Sequence, residues 1–109
     1  MKSFALAALV GLAAANSNED DFAGIFPDSD QWKTGLVDIS AKDDIFYWTF
    51  ESRGNPATDP LVLWLTGGPG CASEVALFFE NGPYKFEEDA SVGVNPHSWN
   101  TNANLLYVD

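Results

Sequence analysis

Five consecutive apolar residues, Leu61-Val62-Leu63-Trp64-Leu65, run directly into Thr66-Gly67-Gly68-Pro69-Gly70. An apolar run with no polar alternation predicts a strand buried on both faces, as in the middle of a sheet flanked by helices. The glycines break it sharply. Residues 71–81 (CASEVALFFEN) then have helical character. Ser73 and Glu74 suit a helix start, Val75 to Phe79 supply apolar surface, and Gly82-Pro83 ends the element. Consecutive glycines leave the backbone uncovered, so an amide N–H can approach a ligand atom closely. A helix start adds positive partial charge at the same place. The unit therefore suits an anion or oxyanion site, although a plain tight reversal of the chain would use the same residues.

The flanking segments extend this unit into an α/β pattern. Residues 33–40 (KTGLVDIS) and 45–52 (IFYWTFES) are rich in β-branched and aromatic residues and are separated by the polar Ala41-Lys42-Asp43-Asp44, which predicts an antiparallel hairpin. Residues 53–60 (RGNPATDP) are loop. Tyr84-Lys85-Phe86 reads as a short extended piece, Glu87-Glu88-Asp89 as a solvated turn, and residues 95–100 (NPHSWN) as a turn with one aromatic anchor. Asn104 to Val108 reads as a second buried strand, with Asp109 directly after it. A sequence of 109 residues with 14% aromatics has little surface behind which to hide them. Together with a last residue at the tip of a core strand, this predicts a piece of a larger domain.

Charge narrows the function. Acidic residues outnumber basic ones 16 to 5, a formal charge of −11. Phosphate binding needs clustered Lys and Arg, so nucleic acid and anionic membrane surfaces are excluded as partners. Solubility accounts for the acidity, and an acidic working environment is a second reading. Residues 1–15 read as a secretory signal: Lys2, a short apolar run from Phe4 to Leu12, and Ala13-Ala14-Ala15 as a cleavage site. That run is too short to span a bilayer, so no stable membrane insertion is expected. Residues 16–31 form an acidic leader. A lone cysteine, Cys71, in a secreted chain points to a free thiol or a partner elsewhere. No N-x-[ST] sequon occurs. Asp43-Asp44 and Glu87-Glu88-Asp89 read as solvated faces, the single His97 as structural, and nothing has metal-ligand spacing.

Residues 64–73 (WLTGGPGCAS) resemble the W-L-N-G-G-P-G-C-S-S signature of the serine carboxypeptidase family. Residues 78–83 (FFENGP) match its F-F-E-x-G-P, and residues 95–100 (NPHSWN) its N-P-x-S-W-N. Phe46-Tyr47-Trp48 and Phe50-Glu51-Ser52-Arg53 are similar to its F-Y-W-F-F-E-S-R strand. The motifs lie in order over residues 32–109. The resemblance implies the N-terminal part of an α/β-hydrolase fold, incomplete, with the hairpin leading into a mostly parallel sheet. Architectures of this kind take an oxyanion donor from the glycine-rich loop after an early strand.

By resemblance, the Gly68 amide is the backbone oxyanion donor, a class of interaction worth about 3 kcal/mol. Trp64, Thr66, Gly67 and Glu80 fall on positions that grip the carboxylate of a peptide C-terminus. A glutamate there must be protonated to donate a hydrogen bond, which favours acidic pH. Cys71 corresponds to a cysteine whose disulfide partner lies far downstream. Two residues depart from the pattern: Thr66 stands for Asn, losing an amide donor, and Ala72 stands for the first Ser. Ser73 is not in a G-x-S-x-G elbow and belongs to the helix start. The Ser, Asp and His of the hydrolase order are expected beyond Asp109. No cofactor is implied. The resemblance implies release of C-terminal residues from peptides, and a location in the secretory pathway, extracellular, lysosomal or vacuolar. A non-catalytic binding or decoy remnant and a related acyltransferase are the alternatives.

Overall fold

The computed structural model describes residues 24–27 and 29–109. The expected signal and most of the leader lie outside the described residues. The hairpin is present: β1 (Trp32–Asp38) pairs antiparallel with β2 (Asp44–Phe50), Trp32 opposite Phe50. After the loop come β3 (Leu61–Trp64), α1 (Val75–Phe79), β4 (Tyr84–Phe86), β5 (Val92–Val94), a 3-10 turn (Trp99–Thr101) and β6 (Asn104–Val108). The main sheet has the order β1-β2-β6-β3, and β4 pairs with β5 in a separate ribbon.

The sheet is mixed rather than mostly parallel. β6 runs antiparallel to β2 and parallel to β3, placing Trp48 beside Tyr107 and Tyr107 beside Trp64. The hairpin occupies half of the sheet, which leaves room for one parallel ladder among the described strands. β6 is the buried strand its apolar run predicts, with Asn104 to Tyr107 all buried. The expectation for Leu61–Leu65 needs correction. Among the described residues β3 has β6 as its single neighbour and stands at the edge of the sheet, and Leu63 and Leu65 are 54% and 64% exposed.

Register sorts the side chains. Trp32, Phe46, Trp48, Phe50, Leu105, Tyr107, Val62 and Trp64 share one face, and α1 packs there through Ala76 and Leu77. Phe50, Tyr84, Leu77, Leu105 and Tyr107 have essentially no exposed surface. Each such side chain is worth about 1.5–3 kcal/mol of burial. Phe26 extends the cluster from ahead of β1: its ring stacks on Tyr84 at 4.9 Å and meets Trp48 edge-on at 5.6 Å. Among the described residues no helix is long and apolar enough to cross a membrane.

Two further expectations change. The helix expected over residues 71–81 shrinks to Val75–Phe79. The amides of Val75, Ala76 and Leu77 bond three residues back, and Glu80 leaves the helical region at φ −128°, ψ −96°. The amides of Glu80 and Gly82 both end on the Ala76 carbonyl, and a β-carbon at Gly82 would fall inside the Leu77 backbone. In the 95–100 turn the aromatic is not the anchor. Trp99 is half exposed, while Ser98 and Asn100 are buried. The turn is held by polar side chains because it sits on a set of buried carbonyl and carboxylate acceptors.

Candidate active site

Because β3 and β6 are parallel, their carboxyl ends lie together, and the glycine loop leaves the sheet there. Crevices outside the carboxyl ends of parallel strands are the usual ligand sites of open α/β sheets. Gly67 to Cys71 are all exposed. Gly68 has φ +146° and Gly70 φ +83°. A β-carbon at Gly68 would lie 3.0 Å from the Cys71 amide nitrogen and 3.1 Å from its Sγ. Backbone conformation thus calls for glycine at 68, and a β-carbon there would also crowd Cys71. At Gly67 and Gly70 nothing stands within 4 Å of such an atom.

Three hydrogen bonds shape this loop. The Trp64 indole Nε1–H donates to Thr66 Oγ1 at 3.2 Å. The Thr66 amide donates to Ser73 Oγ at 3.1 Å. The Ser73 amide donates to Asp109 Oδ1 at 3.3 Å. Asp109, just past β6, is itself pinned to β2 through its amide on the Phe46 carbonyl. The structure therefore brings Trp64, Thr66, Gly67 and Gly68 to one edge, tied to both parallel strands. α1 contributes little electrostatically, since a helix of five residues carries a small macrodipole.

Glu80 lies at the other end of α1, exposed. Its connection to the loop is indirect. The next residue, Asn81, accepts the Tyr107 hydroxyl on Oδ1 at 3.0 Å and the Trp99 amide on its carbonyl, and the Trp99 ring meets Trp64 edge-on at 5.6 Å. Burial, with the Glu80 charge as the smaller cause, pushes the Tyr107 hydroxyl well above its ordinary range. Tyr107 is therefore a neutral donor to Asn81. Glu74, half-buried beside the loop, is pushed up by burial. Its own backbone amide opposes this and the charge of Asp109 adds to it.

Cys71 is exposed with a free thiol. His97 is exposed in the 95–98 turn, its amide on Asn95 Oδ1. Among the described residues no group of three or more His, Cys, Asp or Glu could hold a metal ion.

Sequence reasoning missed Ser73 and Asp109 as parts of the loop, and Tyr107 and Asn81 behind Glu80. Ser73 was signalled only as a helix start, and Tyr107 only as an apolar strand residue. It also missed Asp30, placed by its neighbours in the acidic leader, which is buried and bound to Arg53.

The Serine carboxypeptidase family model matches residues 25–109. Carboxypeptidase Y of Saccharomyces cerevisiae is 49% identical over 87 residues, covering 79% of this chain and 16% of that protein. Serine carboxypeptidase S10 family member 1 of Dictyostelium discoideum is 52% identical over 73 residues, covering 67% of this chain and 18% of that one. The crystal structure of a prohormone-processing carboxypeptidase from Saccharomyces cerevisiae superposes with a TM-score of 0.62 at 32% identity, over 73% of this chain and 19% of the other. The chain thus spans less than a fifth of the length of these relatives. The family match takes in Asp30, Arg53, the glycine loop, Glu80 and β6 together: this chain belongs to the serine carboxypeptidase family.

Proposed function

We propose that these residues are the N-terminal part of a secreted α/β-hydrolase that removes C-terminal residues from peptides through an acyl-enzyme, with residues 1–15 as signal, 16–31 as leader and 32–109 within the catalytic domain. The observation that carries the reading is the exposed Gly67–Gly70 loop at the carboxyl ends of two parallel strands, with Gly68 in a conformation reserved for glycine. In this reading the Gly68 amide donates to the oxyanion of the tetrahedral intermediate. A preorganised backbone donor does this without reorganisation and contributes about 3 kcal/mol.

Trp64, Thr66, Gly67 and Glu80 receive the substrate carboxylate. Trp64 holds Thr66 Oγ1 by its indole N–H, which leaves the hydroxyl proton of Thr66 free to donate. Thr66 so supplies one of the donors that the usual Asn amide supplies. The nucleophilic Ser, the Asp and His that activate it, and the cysteine that pairs with Cys71 come from the remainder of the protein. No cofactor takes part, and the destination is extracellular, lysosomal or vacuolar.

The test is hydrolysis of an N-blocked dipeptide by the full-length protein at pH 5, against the same compound with a C-terminal amide. Turnover of the free acid, weak turnover of the amide and inactivation by a serine-directed phosphonyl fluoride are expected. No hydrolysis of the acid would overturn the peptidase reading. Acyl transfer to an alcohol in preference to water would assign the acyltransferase chemistry instead.

A further inference from the structure

A serine in front of a helix ordinarily caps it, its oxygen accepting an amide from the first turn. Ser73 does not. The cap position falls to Glu74, which makes no side-chain capping bond, and Ser73 Oγ instead accepts the Thr66 amide from seven residues upstream. Ser73 is 3% exposed, whereas the loop between it and Thr66 is open to solvent. Its amide meanwhile donates to Asp109 at the end of β6. One residue thus closes the loop at both of its feet, on the strand that enters it and on the neighbouring strand. Ala72 beside it has no hydroxyl that could substitute.

From this we infer that Ser73 is a positioning residue of the oxyanion loop, acting with Asp109 to fix where the Gly68 amide points. The inference rests on the catalytic reading above. Among the described residues the loop between Thr66 and Ser73 has little else to hold it: three glycines, a proline and an alanine make no side-chain hydrogen bond, and the disulfide proposed for Cys71 would tether the far side of the loop without fixing the Thr66 amide. Without the Ser73 hydroxyl the Thr66 amide is released, and the register of Gly67 and Gly68 against β6 is free to drift. A displacement of the order of 1 Å at such a donor lowers rate about 100-fold, and drift at Thr66 and Gly67 weakens the carboxylate contact by a smaller factor.

Ser73→Ala, Ser73→Thr, Asp109→Ala and the Ser73→Ala/Asp109→Ala double variant of the full-length protein would be compared. The readouts are kcat and KM on the N-blocked dipeptide, thermal unfolding, and hydrogen exchange of the segment covering residues 65–70. For Ser73→Ala the expected result is a fall in kcat of about 10- to 100-fold, a smaller rise in KM through Thr66 and Gly67, and faster exchange in 65–70. Ser73→Thr keeps the hydroxyl and restores protection and most of kcat. The double variant falls little further than the worse single one, because both substitutions break the same chain of bonds. A Ser73→Ala enzyme with unchanged kcat and unchanged 65–70 exchange would overturn the inference, as would a loss confined to thermal stability. Exchange is read without catalysis, so an inactive parent protein would sink the peptidase reading while the positioning of the loop is still decided.

Discussion

The two ends of the central sheet are built on opposite plans. At the end where β3 and β6 begin, polar side chains bond mainly to one another and to buried carbonyls, with Asn100 Oδ1 left without a partner among the described residues. Arg53 meets Asp30 through Nε at 2.7 Å and Nη2 at 2.9 Å, and donates onward to the carbonyls of Asn95 and Pro83. Asn100 donates to the same carboxylate at 2.6 Å, and Ser29 adds a further bond at 2.8 Å. Asn104 takes the Ser52 amide on Oδ1 and gives both Nδ2 protons to the carbonyls of Pro56 and Asp59. Where β3 and β6 finish, three hydrogen bonds hold an exposed loop of small residues. One end uses its polar groups on itself. The other leaves its backbone amides for something else to meet, and that is where a reaction can be placed without dismantling the fold.

The sharpest way to break this contrast is to attack the closed end. Asp30 has no exposed side-chain surface and Arg53 has 22%. Asp30→Ala leaves a guanidinium and the Asn100 amide facing an empty site. Removing one partner of such a pair costs about 3 kcal/mol, the low end of the range because Arg53 still reaches some solvent. Urea unfolding of the full-length protein should show that loss, with kcat per folded molecule unchanged. Acid should act on the same group. Burial raises the Asp30 carboxyl, but the bonds from Arg53, Asn100 and Ser29, with the Arg53 charge, outweigh it and hold it below the ordinary 3.8. A depressed carboxyl contributes stability that is present in full above the ordinary value and is lost as pH falls through the folded one. Asp30→Asn should therefore flatten the stability profile below about pH 4. An unaltered acid limb would show that other carboxylates control it.

At the open end two adjacent glycines separate function from fold. Gly68→Ala faces a positive φ and the Cys71 backbone, and should lower kcat about 100-fold by turning the donor away. Gly67→Ala has free space around it and should leave unfolding within about 0.5 kcal/mol of the parent. Any effect at 67 should appear in KM, since the proposed role there is to bind. Equal kcat losses at both positions would mean that the loop works as a rigid unit and that Gly68 is not the specific donor.

How much of this was legible in the sequence follows the same division. The hairpin, the glycine break and β6 are readable because β-branched and aromatic runs flanking a polar turn, consecutive glycines and a continuous apolar run are local signals. The closed end was not. Asp30 stands in an acidic stretch that reads as solvated leader, and only the arrival of Arg53 from 23 residues away turns it into a core group. In the Asn95–Asn100 motif the sequence signals an aromatic anchor, whereas Ser98 and Asn100 carry that role through bonds to the Asn81 carbonyl and the Asp30 carboxylate. Five apolar residues signal a buried β3, but a strand's sequence reports what could cover it and not what covers it among the described residues. Leu63 and Leu65 stay open, on the same back face as Val37, Ile45 and Tyr47.

The smallest effect sharpens the comparison by its sign. Glu74 sits beside the open end and its carboxyl is raised above the ordinary 4.5, first by burial and then by the charge of Asp109 against the pull of its own amide. One of its oxygens, Oε1, is buried without a hydrogen-bond partner among the described residues. A raised carboxyl favours the folded state while protonated. Its contribution is therefore present below the ordinary value and is lost as pH rises through the folded one, the reverse of Asp30. Glu74→Gln should raise stability at pH 7 by about 0.5 kcal/mol and do nothing below pH 4. Paired with Asp30→Asn, it predicts opposite changes at opposite ends of the pH profile. If both substitutions move the same limb in the same direction, the two ends of the sheet do not titrate independently, and the Ser73–Asp109 connection beside Glu74 becomes the first place to look for the coupling.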